Sequence, residues 1–171
     1  MRHAIFLDRD GVINKAIVKN GRPFSPRTID DFEILPEVEK ALNLFHDLGY
    51  LNIVATNQPD VARGLMSERI LSRMHDLIRQ NLIVDDIFVC PHDDSDACLC
   101  RKPKPGLILD AAAKWDVSLI NSYFIGDTWK DIHAGRSAGC STILLERPYN
   151  EGLESDYRIR SLLDVIDIVK K

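Results

Sequence analysis

Short apolar runs recur along the chain at Ala4 to Leu7, Leu51 to Ala55, Ile83 to Val89, Tyr123 to Ile125 and Thr142 to Leu145. Runs of this length, rich in β-branched and aromatic residues, predict buried strands rather than helices. Longer segments between them carry helical spacing and helix-end signals. Pro36 opens VEKALNLFHDLG and Gly49 closes it, following the preference for proline at the start and glycine at the end of a helix. Ser67 is placed to cap ERILSRMHDLIRQ, Pro105 precedes GLILDAAAKW, and Asp131 begins a short IHAGRSA helix ended by Gly139. SLLDVIDIVKK predicts a final helix. Strands alternating with helices imply βαβ units, hence an α/β fold: a doubly wound, Rossmann-like domain spanning 1–171, with a mainly parallel sheet of about five strands covered on both faces.

Residues Asn14 to Ile34 show no regular pattern, since glycine and prolines interrupt them. Loops of that size in compact domains are commonly functional. With no second domain to serve as a cap, an active-site cover must come from this loop, from the cysteine-containing loop near position 98, or from another subunit.

Composition narrows the partners. The 171 residues are 45% hydrophobic and carry a net charge of -4, an ordinary globular balance with no footprint for nucleic acid or an anionic membrane. No segment reaches the roughly 20 apolar residues of a membrane span or the pattern of a signal peptide. The expectation is a cytoplasmic monomer or small homo-oligomer acting on a small molecule. Cys90, Cys98 and Cys100 crowd one segment, which in a reducing compartment points to metal rather than disulfides, whereas isolated Cys140 reads as a small buried hydrophobe.

The polar residues that end these strands carry the chemistry. Asp8 and Asp10 follow the first run, Thr56 and Asn57 end the second, and Asp127 follows Tyr123 to Ile125. Ligands bind at the carboxyl ends of strands in open α/β sheets, so these groups converge on one edge. Phosphate esters repel nucleophiles, and their cleavage needs a cation, an in-line nucleophile and a proton donor. Asp8 and Asp127 could hold Mg²⁺, Asp8 could attack phosphorus, and Asp10 could move the protons. Gly11 lets the chain turn away, and Thr56 and the backbone amides beside Asn57 could bind phosphate oxygens. The plainer alternatives are a turn after a strand for Asp8 and Asp10 and an Asx turn for Thr56 and Asn57.

FLDRDG, ATNQ, RKPKPG and GDTWKD, in that order, resemble the four motifs of the haloacid dehalogenase superfamily of phosphatases over nearly the whole chain. The resemblance implies Asp8 as nucleophile, Asp10 as acid and base, Mg²⁺ on Asp8, the Asp10 backbone carbonyl and Asp127, and Thr56, Asn57, Gln58 and Lys102 about the phosphoryl group. Asp131 matches the second acid of the fourth motif but is equally placed to cap a helix. CPHDDSDACLC supplies Cys90, His92, Cys98 and Cys100, a set suited to one closed tetrahedral zinc that pins the loop leading into Arg101 and Lys102.

That loop followed by RKP resembles two branches with minimal caps, the heptose bisphosphate phosphatases and the histidinol-phosphate phosphatases. Arg63 and Gly106 are similar to the heptose branch, whose resemblance implies substrate recognition by Arg101 and removal of the 7-phosphate of a heptose 1,7-bisphosphate. Histidinol phosphate or another small sugar phosphate is the alternative substrate. Asn57-Gln58-Pro59-Asp60 and Thr128 depart from the heptose pattern, which usually carries Asn-Gln-Ser-Gly and a lysine after Gly-Asp. A zinc-containing scaffold on a decayed phosphatase fold is the non-enzyme alternative, disfavoured by the intact acidic and basic groups. His3, His46, His75 and His133 read as surface or helix-packing residues, Trp115 and Phe45 as packing on the sheet, and Trp129 as a packing residue near the mouth with a substrate contact as the alternative.

Overall fold

The computed structural model describes residues 1–170. In chain order the elements are β1 (His3–Leu7), β2 (Ile17–Lys19), β3 (Arg22–Phe24), α1 (Val38–Asp47), β4 (Tyr50–Asn57), α2 (Glu68–Asn81) and β5 (Asp86–Cys90). They continue with α3 (Gly106–Trp115), β6 (Tyr123–Gly126), α4 (Trp129–Ala138), β7 (Ser141–Leu145), β8 (Tyr157–Ile159) and α5 (Val165–Val169). The main sheet has six strands in the order β5-β4-β1-β6-β7-β8, and every pairing in it is parallel.

Alternation along β1 explains the layers. Ile5 and Leu7 join a core with Phe45 of α1, Ile78 of α2 and Val165 of α5. Ala4 and Phe6 point to the other face and pack with Ile108 of α3 and Ala134 of α4. Side chains of successive strand residues project to opposite faces, so a central strand covered by helices on both sides must be apolar at every position. The chain leaves β1 for β4 on one side and returns to β6 on the other. The order reverses beside β1, and a crevice opens outside the strand ends at such a switch point.

Several boundaries differ from the expectations. The sixth strand, β8, pairs Tyr157 with Ile143 and Ile159 with Leu145; only Ile159 of its three residues is buried, so no apolar run announced it. The strand expected from Ile83 begins at Asp86 and ends at Cys90. The final helix begins as a 3-10 turn over Leu162–Asp164, leaving Val165–Val169 as α-helix, and Lys171 of that segment lies outside the described residues. The supposedly irregular stretch contains an antiparallel hairpin, β2 with β3. Its turn is Asn20-Gly21, both with positive φ of 50° and 71°, the Asn-Gly signature of a tight hairpin turn that the sequence did contain.

Candidate active site

β1, β4 and β6 end at one cavity of about 270 Å³, lined among others by Asp8, Asp10, Asn57, Lys102, Asp127 and Asp131. Asp8 stays in line with the sheet, its N–H donating to the Ile125 carbonyl at 2.9 Å, and the chain then turns as Val12, Ile13 and Asn14 all donate to the Arg9 carbonyl. Gly11 permits this turn with φ +88°, and it has no room for a side chain: a methyl group there would collide with the Asp127 carboxylate and lie 2.8 Å from the Tyr149 hydroxyl.

Lys102 is 3% exposed. Its Nζ donates to Asp8 Oδ1 at 2.8 Å and to Asp131 Oδ1 at 2.6 Å. Asn57, at the end of β4, holds the lysine's backbone from both sides: its Nδ2 donates to the Lys102 carbonyl and its Oδ1 accepts the Lys102 N–H, each at 3.0 Å. Burial opposes the ammonium charge, yet Asp131 and Asp8 hold its pKa above the ordinary value. Burial, then the neighbouring Asp131, pushes Asp8 up to about 7 against the opposing pull of Lys102.

Asp10 sits in a different field. Its carboxylate accepts from Arg9, Asn14, Ser25 and Gln58, at 2.8, 2.9, 2.7 and 2.7 Å respectively. Burial works against ionisation, but the Arg9 charge and these donors outweigh it and hold the pKa below the ordinary carboxylate range. Ser25 follows directly after β3, so the hairpin reaches the carboxylate and, with Phe24, lines the cavity. Arg9 is fully buried, and its Nη1 lies 3.3 Å from His75 Nε2. His75 is thus a helix-packing residue, one of the two alternatives foreseen for it.

Asp127 follows directly on β6 and is fully buried. Burial, then Asp131 and Asp8, raises its pKa well above the ordinary value. One oxygen, Oδ2, accepts from the Tyr149 hydroxyl; the other, Oδ1, is buried without a partner. Asp8, Asp127 and Asp131 present carboxylate oxygens within 4.8 Å of one another. Three clustered acids, an orphaned buried oxygen and hard oxygen donors are what a small divalent cation would satisfy, so the residues fit Mg²⁺. Such a charge would lower the raised pKa values of Asp8 and Asp127.

The other predicted site residues are dispersed around this centre. Thr56 is fully buried, and its Oγ1 accepts from Gln58 Nε2 at 2.9 Å. Thr56 and Gln58 therefore sit behind Asp10, and Asn57 lines the cavity. Arg101 also lines it, donating to Asp94 Oδ1 at 2.6 Å, and Arg63 donates to Asp93 at 2.6 Å. Asp131, left between two roles by its sequence position, performs a cap and a site contact together: it accepts the Thr128 N–H and hydroxyl at 2.9 and 2.6 Å and binds Lys102 with its other oxygen. The helix consequently starts at Trp129, not at Asp131. Gly126 makes that approach possible, because a methyl group there would collide with Asp131. Trp129, expected to pack, is instead 47% exposed, and its ring meets His133 edge-on at 5.5 Å.

Cys90, His92, Cys98 and Cys100 bring their ligand atoms within 4.8 Å of one another. The sulfurs of Cys98 lie 3.6 Å from Cys90 and 3.5 Å from Cys100, and His92 Nδ1 lies 3.6 and 3.3 Å from Cys90 and Cys100. A tetrahedral zinc at about 2.3 Å from each sulfur would separate them by roughly 3.8 Å, so this cluster fits the ion with little movement. Sequence reasoning passed over Asn14, Ser25, Tyr149 and Asn150. Asn14 had a readable signal in its position four residues after Asp10; nothing local marked the others.

Comparisons with known proteins agree with this geometry. A family described as HAD-hydrolase-like matches residues 99–152. The chain is 38% identical over 150 residues to D-glycero-beta-D-manno-heptose-1,7-bisphosphate 7-phosphatase of Bordetella bronchiseptica, covering 83% of this chain and 79% of the relative. It is 34% identical over 178 residues to the D-glycero-alpha-D-manno-heptose-1,7-bisphosphate 7-phosphatase of Campylobacter jejuni, covering 98% and 96%. A crystal structure of D,D-heptose 1,7-bisphosphate phosphatase from B. bronchiseptica, complexed with magnesium and phosphate, superposes with a TM-score of 0.85 at 32% identity over 98% of both chains.

Proposed function

We propose, from the fact that this chain belongs to the family of D-glycero-D-manno-heptose-1,7-bisphosphate 7-phosphatases within the haloacid dehalogenase-like hydrolases, that it removes the 7-phosphate of a D-glycero-D-manno-heptose 1,7-bisphosphate. The chain is a phosphoric monoester hydrolase. One observation carries the reaction type: Asp8 and Asp10, two residues apart at one strand end, sit in opposite electrostatic fields at the same cavity, with Lys102 on the first and a cage of donors on the second.

In this reading a carboxylate oxygen of Asp8 attacks phosphorus, the ester P–O bond breaks, and the departing sugar oxygen takes a proton from Asp10. Water then attacks the aspartyl-phosphate, gives its proton to Asp10, and releases inorganic phosphate as the bond to Asp8 breaks. For the first half-reaction Asp10 must carry a proton despite its donor cage, and an incoming anionic phosphate favours that proton by raising the carboxyl pKa. Lys102 neutralises phosphoryl charge and keeps Asp8 oriented. Thr56, fully buried behind Asp10, accepts from Gln58 and so fixes the amide that holds Asp10, while Asn57 holds Lys102 in place. Bound by Asp8, the Asp10 backbone carbonyl and Asp127, Mg²⁺ would supply charge neutralisation for the transferring group.

Arg101 and Arg63, at the mouth, are the candidates for the second phosphate of a bisphosphate substrate. Cys90, His92, Cys98 and Cys100 hold a structural zinc that steadies the segment carrying Arg101 and Lys102. Among the described residues no helix is long and apolar enough to cross a membrane, and a small charged metabolite as substrate supports a cytoplasmic location.

Phosphate release measured on both anomers of heptose 1,7-bisphosphate, histidinol phosphate and a panel of sugar phosphates tests the reading through kcat/KM. A heptose anomer should exceed every other substrate by at least tenfold. A preference for histidinol phosphate would move the substrate to the other branch, and no turnover by folded, metal-loaded protein would leave the scaffold alternative standing.

A further inference from the structure

The segment after β7, Glu146 to Asn150, reaches back across the sheet edge and grips both halves of the acidic centre. Arg147 donates to the Gly11 carbonyl through Nε at 3.1 Å and Nη2 at 2.8 Å. Asn150 Nδ2 donates to the Asp127 carbonyl at 2.8 Å and to the Leu145 carbonyl at 2.9 Å. Between them, the Tyr149 hydroxyl donates to Asp127 Oδ2. These side chains belong to a loop 22 residues beyond Asp127 and 136 residues beyond Gly11, so the contacts come from tertiary structure alone.

Asp127 is asymmetric as a result. Oδ2 is tied to the phenol and boxed against Gly11, whereas Oδ1 is buried and has no hydrogen-bond partner. A free Asp carboxylate rotates about its terminal torsion with little preference. Tying one oxygen removes that freedom and leaves the other, buried and without a partner, as the oxygen open to a ligand. Hydrogen bonds from outside a metal's ligand shell act on affinity in just this way, by orienting the ligating group before the ion arrives.

We propose that Tyr149 is a positioning residue for the cation site, its hydroxyl fixing Asp127 so that Oδ1 is presented for a divalent ion, with Arg147 and Asn150 anchoring the loop that carries it. The inference rests on the cation reading of Asp8 and Asp127 given above. It assigns Tyr149 no contact with substrate and no proton transfer.

Calorimetric titration of Mg²⁺ into the full-length, zinc-containing chain, in the absence of substrate, tests it. Tyr149→Phe keeps the ring and deletes the hydroxyl; it should weaken Mg²⁺ binding about tenfold. KM for substrate measured at saturating Mg²⁺ should stay within about twofold of the native value, because substrate contacts are untouched. A merely structural tyrosine would instead lower the melting temperature and leave Mg²⁺ affinity unchanged, and that result would overturn the proposal. Asp127→Asn is the control: if it too binds Mg²⁺ normally, the cation reading fails rather than the role of Tyr149. Should Tyr149→Phe not fold, 3-fluorotyrosine at position 149 in the otherwise native chain decides the matter. Its fluorine resonance should shift with the same Mg²⁺ midpoint as the calorimetry, and a resonance indifferent to Mg²⁺ would rule the coupling out.

Discussion

Asp8 and Asp10 have the same side chain and neighbouring positions, yet their surroundings set them apart. Asp8 is pushed up to about 7 by burial and by Asp131, while Asp10 is held low against burial by Arg9 and the surrounding donors. Separated environments of this kind divide one pair of carboxyls into two chemical roles. The raised pKa also means that the ionised Asp8 costs stability in the folded chain. The cost is greatest above the folded value near 7 and fades as pH falls toward the unfolded value of 3.8, because both states then take up the proton. Asp8→Asn should therefore abolish phosphate release while raising stability at pH 8, measured in chelator, by on the order of 1 kcal/mol. Denaturant unfolding from pH 8 down to 4 checks this: the gap between variant and native chain should narrow as pH falls. Retained turnover would remove Asp8 as the nucleophile.

At the scale of elements, the loop between β5 and α3 does two things at once. Its cysteines and His92 gather into a cluster, and the residues immediately after it supply Arg101 and Lys102 to the cavity. Gly106 packs against the same loop, where a methyl group would lie 2.9 Å from Cys100 Cα. The loop has only a three-residue 3-10 turn of its own, Asp94–Asp96, and is otherwise held by scattered contacts such as Lys104 on the Cys98 carbonyl and the packing of Cys98 and Cys100 on the core, so an ion would add its main cross-link. Removing zinc from the site, by Cys98→Ser or by a strong chelator, should lower zinc content below one per chain and raise KM several-fold more than it lowers kcat. Metal analysis together with steady-state kinetics checks both, and full zinc retention by the variant would defeat the ligand assignment. The hairpin β2–β3 plays the complementary part on the other side of the cavity, where Ser25 donates to Asp10. Of the three places the sequence offered for a cover, the hairpin and the cysteine loop both line the cavity, the first through Pro23, Phe24 and Ser25, the second through Asp94 and Arg101.

For the whole molecule, the buried contact between Arg9, in the turn after β1, and His75 of α2 sets a limit on acid stability. Burial, then the charges of Arg9 and Arg79, pull His75 from 6.5 down to about 3. The folded chain holds it neutral where the unfolded chain would protonate it, so this group's contribution is intact above pH 6.5 and is lost as pH falls toward 3. By pH 5 the loss should be at most about 2 kcal/mol. His75→Gln keeps an acceptor for Arg9 without a titration, and its stability should decline less steeply than the native chain's between pH 6.5 and 4.5; parallel declines would exclude His75 as the cause. The layered sheet was legible from apolar runs and helix-end signals, since these act over a few residues and each strand's burial is written in its own composition. So was the gathering of Asp8, Asp10 and Asp127 at one strand-end cavity and of Cys90, His92, Cys98 and Cys100 in one cluster, since their residue types and spacing point to these groups. β8 was not, because an edge strand with one buried residue is made by its pairing with β7 rather than by its own pattern. Nor were the contacts that give each carboxylate its character: the family resemblance placed Lys102 by the phosphoryl group without pairing it to Asp8, 94 residues away, and nothing local marked Tyr149, 22 from Asp127, or Ser25, 15 from Asp10. Local sequence settles which groups stand at the strand ends; the path of the loops and the packing of the sheet settle which of them meet, and hydrogen bonding and burial at those meetings set their acidity.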